Sequence, residues 1–264
     1  MSRLFIFILP FCFFGCSHAP ETGRSQFIVM STSQEKQLGQ EAFVEILKEE
    51  KTVTSGPKYE MVQRVGERVA LSASRLYPDA VKGYKWKFVL INDKDEVNAW
   101  ALPGGKCAVY TGILPVTKSE DALAIVMAHE VAHVIARHGA ERSSQSMVAG
   151  IIAGVAMSEM NATDRAIVLG AYGIGVSLPF SRAQETEADQ LGLYIAADAG
   201  YDPRQAIPLW KRMAKAGSKA PAEFMSTHPS SKTRIQQIRG WLPKATMYYD
   251  NAVAHDAALK KTRQ

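Results

Sequence analysis

A chain of 264 residues that is 47% hydrophobic and 22% charged has ordinary globular composition, with enough apolar material for one sizeable core. Its net charge of +5 is mild and scattered, with no Lys/Arg block, so the sequence gives no nucleic-acid footprint and reads as a solvated basic surface. It shows no internal repeat and no low-complexity run.

The N-terminus reads as a targeting segment. Arg3 is followed by an almost wholly apolar stretch over residues 4–14, too short to cross a bilayer and right for a signal-peptide core. It ends at Phe14-Gly15-Cys16-Ser17, which resembles a bacterial lipoprotein signal. That resemblance implies lipid on Cys16 as the mature N-terminus and a membrane held through it. With Ser17 next, it implies sorting to the periplasmic face of a bacterial outer membrane. Phe13 and Phe14 depart from the usual pattern, leaving cleavage near Ala19 or a retained anchor as alternatives. Cys12 would leave with the signal, so Cys107 would stand alone as a small buried apolar residue, with no disulfide.

Residues 16–30 read as a flexible tether. Thr32-Ser33-Gln34-Glu35 reads as a capping box opening a helix to about residue 50. A Ser-Gly-Pro break at 55–57 starts a second helix, to about residue 74, with Pro57 in its first turn. Residues 84–92 alternate and are rich in β-formers, which predicts a strand. A second extended piece over 97–102, a turn at Pro103-Gly104-Gly105 and a strand over 106–111 follow. Ser119, Glu120 and Asp121 open the next helix with a cap and negative charge.

That helix carries the chemistry. Within ALAIVMAHEVAHVIARH, residues 122–138, His129 and His133 stand four apart and so share one face, about 5–6 Å between Cβ atoms. Both imidazoles can reach one metal ion, and Glu130 sits beside it as a carboxylate placed to take a proton from water. His138, nine residues from His129, would fall on the opposite face of a continuous helix and is excluded. From 143 to 180 the chain is Gly/Ala-rich and apolar. It reads as a pair of core helices, with a membrane-dipping or substrate-binding hairpin, or a mobile lid, as the alternative.

Residues 181–198 predict a second important helix, stopped at Gly200. A zinc site of the catalytic kind takes three protein ligands, so a third is needed from a facing helix. Glu185, Glu187 and Asp189 are the candidates. Glu185 and Asp189 share a face, which assigns Glu185 as the ligand and Asp189 as the acceptor for the far nitrogen of a ligating histidine. Glu187 points elsewhere and reads as a solvated helix charge, or as the ligand if the face is misjudged. Helices from about 203 to 215 and from 230 to 241 follow, and residues 244–264 read as a loosely ordered polar tail.

The segments VNAWALPGG (97–105), HEVAH (129–133), ETEAD (185–189), AGYDP (199–203) and THP (227–229) occur in this order. Together they resemble the gluzincin family of HtpX-, Oma- and BepA-type zinc metallopeptidases, over about residues 32–241. The resemblance implies an α+β, mainly helical zincin-like fold whose small sheet has its edge strand ahead of the HExxH helix. It implies one Zn2+ per chain, and it maps Glu185 onto the third ligand. It places Asn98 and Ala99 on the edge strand that takes extended polypeptide substrates. His228 matches a histidine near the metal, a transition-state stabiliser or a fourth ligand in a resting form. Arg234 matches a basic residue able to approach the site. His18 and His255 carry no signal. The expected domains are a signal at 1–15, a tether at 16–30, a metallopeptidase domain at 31–243 and a tail at 244–264. The expected function is zinc-dependent endoproteolysis in a bacterial cell envelope with Glu130 as general base. The alternative is a zinc-bound chaperone-like scaffold with latent proteolysis, working with envelope-assembly partners.

Overall fold

The computed structural model describes residues 17–152, 180–217, 223–228 and 233–262. It is mainly helical, with one four-stranded sheet, and the fold is α+β. The first elements are strands β1 (Ser17–His18) and β2 (Ser25–Gln26), which pair antiparallel. Helix α1 (Thr32–Glu49) follows, capped by Ser31, whose hydroxyl accepts from Gln34 N while the Gln34 side chain returns to Ser31. The capping box thus lies one residue earlier than its sequence reading. This frees Glu35 for an ion pair with Arg137.

Strand β3 (Thr52–Val53) and helix α2 (Pro57–Leu76) lead to β4 (Lys87–Ile91), β5 (Ala99–Leu102) and β6 (Lys106–Tyr110). The order across the sheet is β3-β4-β6-β5. β4 and β6 run parallel, with Lys87 opposite Lys106, and β5 returns antiparallel to β6, with Ala99 opposite Val109. The hairpin between them turns on Gly104 and Gly105, at φ of 88° and 82°, a region that L side chains avoid. β5 is therefore an edge strand, and it comes just before the short helix α3 (Leu114–Thr117) and the central helix α4 (Glu120–Ile135).

Every residue of α4 from Ala122 to Ile135 is buried. Ser119 caps its N-terminus by accepting from Ala122 N, and Glu120 and Asp121 complement the helix dipole. One flank packs on β5 and α2, the other on α6 (Arg182–Asp198). The approach of α6 is fixed by Gly192, where a Cβ would stand 2.8 Å from both Cα and N of His129.

α4 stops at Arg137, whose φ of 55° is left-handed and unusual for a residue with a side chain. Its guanidinium holds the bend by donating to Met30 O (2.7 Å) and to Glu35. Helix α5 (His138–Ile152) then starts immediately. Helices α7 (Ala206–Gly217), α8 (Glu223–Thr227) and α9 (Arg234–Thr262) complete the described chain.

Two expectations are corrected here. Residues 17–30 do not hang as a tether: Ala19, Gln26 and Ile28 are buried, because the segment brings polar partners to charges on α5 and α6. Residues 244–262 are not a loose tail but continue α9 through Pro243. Ala245 is buried, Tyr248 and Tyr249 pack on the core, and Lys244 and Asp256 pair with Glu21 and Arg68. Of the 143–180 stretch, α5 extends to Ile152, and the rest of that reading lies outside the described residues up to Phe180. So does Cys16. Among the described residues, no helix is long and apolar enough to cross a membrane. Cys107 is free and buried.

Candidate metal centre

The i, i+4 spacing on α4 puts His129 and His133 side by side, their Nε2 atoms 3.1 Å apart. α6 crosses beside them and delivers Glu185, with Oε1 3.3 Å from His133 Nε2 and Oε2 3.6 Å from His129 Nε2. The end of α8 adds His228, whose Nδ1 is 3.3 Å from His129 Nε2 and 2.9 Å from Glu185 Oε1. One ligand atom from each of His129, His133, Glu185 and His228 lies within 4.8 Å of the other three, and all four residues are buried.

These residues fit a zinc ion. Tetrahedral bonds of about 2 Å set neighbouring ligand atoms about 3.3 Å apart, and the separations here run from 2.9 to 3.6 Å. Three imidazoles and one carboxylate are the donor set zinc prefers over magnesium or calcium. Three buried histidines with no cation among them would otherwise be costly to assemble.

The remaining predicted residues surround this cluster. Glu130 lies beside it, with Oε1 3.6 Å from His228 Nε2 and no hydrogen-bond partner. Burial raises the Glu130 carboxyl, and His228 and His129 offset only part of that rise. Asp189, one turn beyond Glu185, puts Oδ1 3.1 Å from His129 Nδ1, and the two buried atoms have no other partner. Arg234 bridges the acids from the start of α9: Nε donates to Asp189 Oδ2 at 2.6 Å and Nη2 to Glu185 Oε2 at 2.5 Å. It also lies over the Trp210 ring, 4.2 Å from the centroid. Burial would raise Glu185, but His228, His133 and His129 outweigh it and hold the carboxyl well below the usual range. Burial holds His133 well below its ordinary value, whereas at His228 Glu130 and Glu185 overcome burial and raise it.

Asn98 and Ala99 lie at the start of β5 and are buried. The Asn98 side chain accepts from Ala99 N at 2.9 Å. Val97 O, just before them, accepts from Phe224 N at 3.4 Å. The Phe224 ring stacks 4.5 Å from His228, so the edge strand and the histidine cluster share a neighbour.

Several residues of the site were missed in sequence. Phe180 stacks on His133 at 4.0 Å and ties to Thr227 through its N–H. His138, excluded as lying on the wrong face, is buried with Nδ1 2.9 Å from His133 Nδ1. The exclusion assumed one continuous helix, and the left-handed Arg137 folds His138 back onto His133. Glu187, read as solvated or as a rival ligand, is buried and 2.9 Å from His138 Nε2. Arg24 reaches Glu187 from the N-terminal hairpin, a contact across more than 160 positions that no local signal announces.

Comparison with known proteins agrees with this geometry. A model of "Peptidase family M48" matches residues 58–242. Among relatives, the mitochondrial metalloendopeptidase OMA1 of Schizosaccharomyces pombe is 38% identical over 233 residues, covering 86% of this chain and 67% of that protein. The protein of the same name from Saccharomyces cerevisiae is 32% identical, covering 95% and 77%. The beta-barrel assembly-enhancing protease of Escherichia coli is 30% identical over 233 residues, covering 83% of this chain and 46% of its own. The run of relatives named as mitochondrial overturns the placement at a bacterial outer membrane that the N-terminal segment suggested. The matched family model and the two yeast relatives carry one conclusion: this chain belongs to peptidase family M48 and is a zinc metalloendopeptidase.

Proposed function

We propose that the chain hydrolyses polypeptides held extended along β5, with His129, His133 and Glu185 holding one zinc ion and Glu130 acting as general base. The observation that carries this reading is the position of Glu130. Its buried carboxylate has an oxygen with no partner, beside the converging ligands. Bound zinc supplies Lewis acidity, which acidifies water and polarises a carbonyl. Glu130 would take a proton from the attacking water at its unpartnered Oε1 and later pass it to the leaving amine, with no covalent enzyme intermediate. Asn98 and Ala99 offer the substrate backbone a strand edge to pair with. Asp189 orients His129, and Arg234 offsets the charge of Asp189 and Glu185.

A second reading has one specific observation in its favour. His228 Nδ1 lies within the ligand cluster. In this reading the structure is a resting form with a fourth protein ligand, and the chain acts as a zinc-bound scaffold with latent proteolysis.

The test is digestion of casein by the zinc-loaded chain beside a Glu130→Gln variant of equal zinc content. Loss of a general base costs at least about 10²–10⁴-fold in rate, so the variant should be silent. Equal digestion by both would remove Glu130 from the mechanism. Silence from both, with zinc bound, would favour the latent scaffold.

A further inference from the structure

The two α4 histidines face their polar surroundings differently. His129 turns Nδ1 directly to a carboxylate, Asp189. His133 turns Nδ1 to another imidazole, that of His138, at 2.9 Å. Two imidazole nitrogens can share one hydrogen bond only if one of them is a donor and the other an acceptor. The other nitrogen of His138 decides which. His138 Nε2 is 2.9 Å from Glu187 Oε2, and an ionised carboxylate only accepts, so Nε2 carries the proton. A neutral His138 then presents a lone pair at Nδ1. His133 must donate from its own Nδ1, which leaves the lone pair of His133 Nε2 facing Glu185 and His129.

We propose that Glu187 fixes the metal-binding tautomer of His133 through His138, and that Thr22 and Arg24 of the N-terminal hairpin hold Glu187 in place for that task. The inference rests on the reading of His133 as a zinc ligand. It makes Glu187 and His138 positioning residues and the hairpin part of the working site.

The surroundings of Glu187 fit this role. Oε1 accepts from Thr22 Oγ1 at 2.7 Å and from Arg24 Nε at 2.8 Å, and Oε2 accepts from Arg24 Nη2 at 3.0 Å and from His138. Four bonds use the four acceptor sites of a carboxylate, so Glu187 has none left for a metal. Arg24 is itself held by Glu141, at 2.6 and 2.7 Å, so the hairpin is clamped between α5 and α6. Orienting partners of this kind fix ring tautomer and ligand basicity in metal sites.

The test compares zinc affinity, by competition with a chromophoric chelator, across the native full chain and the variants Glu187→Gln, His138→Phe, Arg68→Met and His133→Ala. The Co2+ absorption spectrum serves as a second readout. Arg68→Met loses an ion pair with Asp256 and a bond to Ala199 O, and Arg68 bonds to neither imidazole nor the hairpin. Glu187→Gln and His138→Phe should weaken zinc binding about 10- to 100-fold and alter the Co2+ bands, while Arg68→Met stays near native in both. Native affinity in Glu187→Gln, a near-isosteric change, would overturn the proposal. So would an equal loss in Arg68→Met, because the effect would then be general loosening. Zinc binding undiminished in His133→Ala would instead remove His133 from the ligand set and overturn the underlying reading.

Discussion

The spacing between the two ligand-bearing helices depends on one missing methyl group. Gly192 on α6 faces α4 so closely that an added Cβ would lie 2.8 Å from His129 Cα, 2.8 Å from His129 N and 3.0 Å from Ala128 C. Carbon atoms in contact sit about 3.5–4.0 Å apart, so Gly192→Ala forces the helices apart by roughly 1 Å. All three obstructing atoms are backbone, and no rotamer change relieves them. Overpacking of this kind costs about 1–3 kcal/mol, and backbone-to-backbone contact belongs near the top of that range. Alanine returns about 1 kcal/mol of helix propensity, leaving a net loss of about 2 kcal/mol. For a chain of this size that lowers the melting temperature by about 4–8 °C. The same displacement moves Glu185 away from His129 and His133, well beyond the tolerance of about 0.2 Å for metal–ligand distances. Zinc affinity should therefore fall by at least about tenfold, as for other disturbed sites. The control is Gly240→Ala on α9, where a Cβ meets nothing within 4 Å. It should gain about 0.5–1 kcal/mol with zinc binding untouched. The assay is thermal unfolding of the zinc-free proteins together with chelator competition. If Gly192→Ala is as stable as Gly240→Ala and binds zinc normally, the packing argument is wrong.

Three further outcomes follow from the same site. Arg234→Met leaves Glu185 and Asp189 buried together without their shared cation and should cost about 3–5 kcal/mol in zinc-free unfolding experiments. A change within 0.5 kcal/mol, the range of ordinary surface substitutions, would show that water already screens the pair. His228→Ala separates two roles by sign: casein digestion rises if His228 fills the metal's open position at rest, and falls if it stabilises the transition state. An unchanged rate would exclude both. Glu187 gives a pH signature. Its folded value of about 2 lies below its ordinary 4.5, so its stabilising contribution is complete above 4.5 and is lost as pH falls from there towards 2. The stability gap between native and Glu187→Gln in zinc-free protein should shrink across that window. A constant gap would contradict the depressed value.

Much of the fold was legible because its signals are local. The cap at Ser119, Pro57 in a first turn, the paired glycines after Pro103 and the alternation before Asn92 each act within a few residues. The convergence of Glu185 with the HEVAH histidines was legible for the same reason, since i, i+4 spacing survives any tertiary arrangement of two facing helices. What stayed hidden depends on long-range partners. Nothing in Ala136-Arg137-His138 marks a helix end, because a left-handed arginine is stable only where Glu35 and Met30 O receive its guanidinium. The N-terminal hairpin read as a tether because its strands are two residues long and its contacts lie on α5 and α6. The extension of α9 was obscured by Pro243 and by a polar surface whose buried stripe is thin.

Of the three acids of α6, Glu185 and Asp189 were read as ligand and orienting acceptor on one face, whereas Glu187, read as a solvated charge, is buried against His138. Residues two apart on a helix point about 200° away from each other, whereas residues four apart nearly superpose. Glu185 and Asp189 therefore address the Nε2 side of the cluster and His129 Nδ1, under the shared cation Arg234. Glu187 can only address the opposite side, and there the bend at Arg137 has placed His138. The bend is what makes Glu187 useful. Were α4 to run straight on, Glu187 and Arg24 would hold only each other and Glu141, and His133 would lack a partner at Nδ1. The sequence ETEAD thus carries an oriented pair on one face and a single carboxylate on the other. Moving the Glu187 carboxylate one position either way along α6 would turn it by about 100° and leave His138, and through it His133, without that acid.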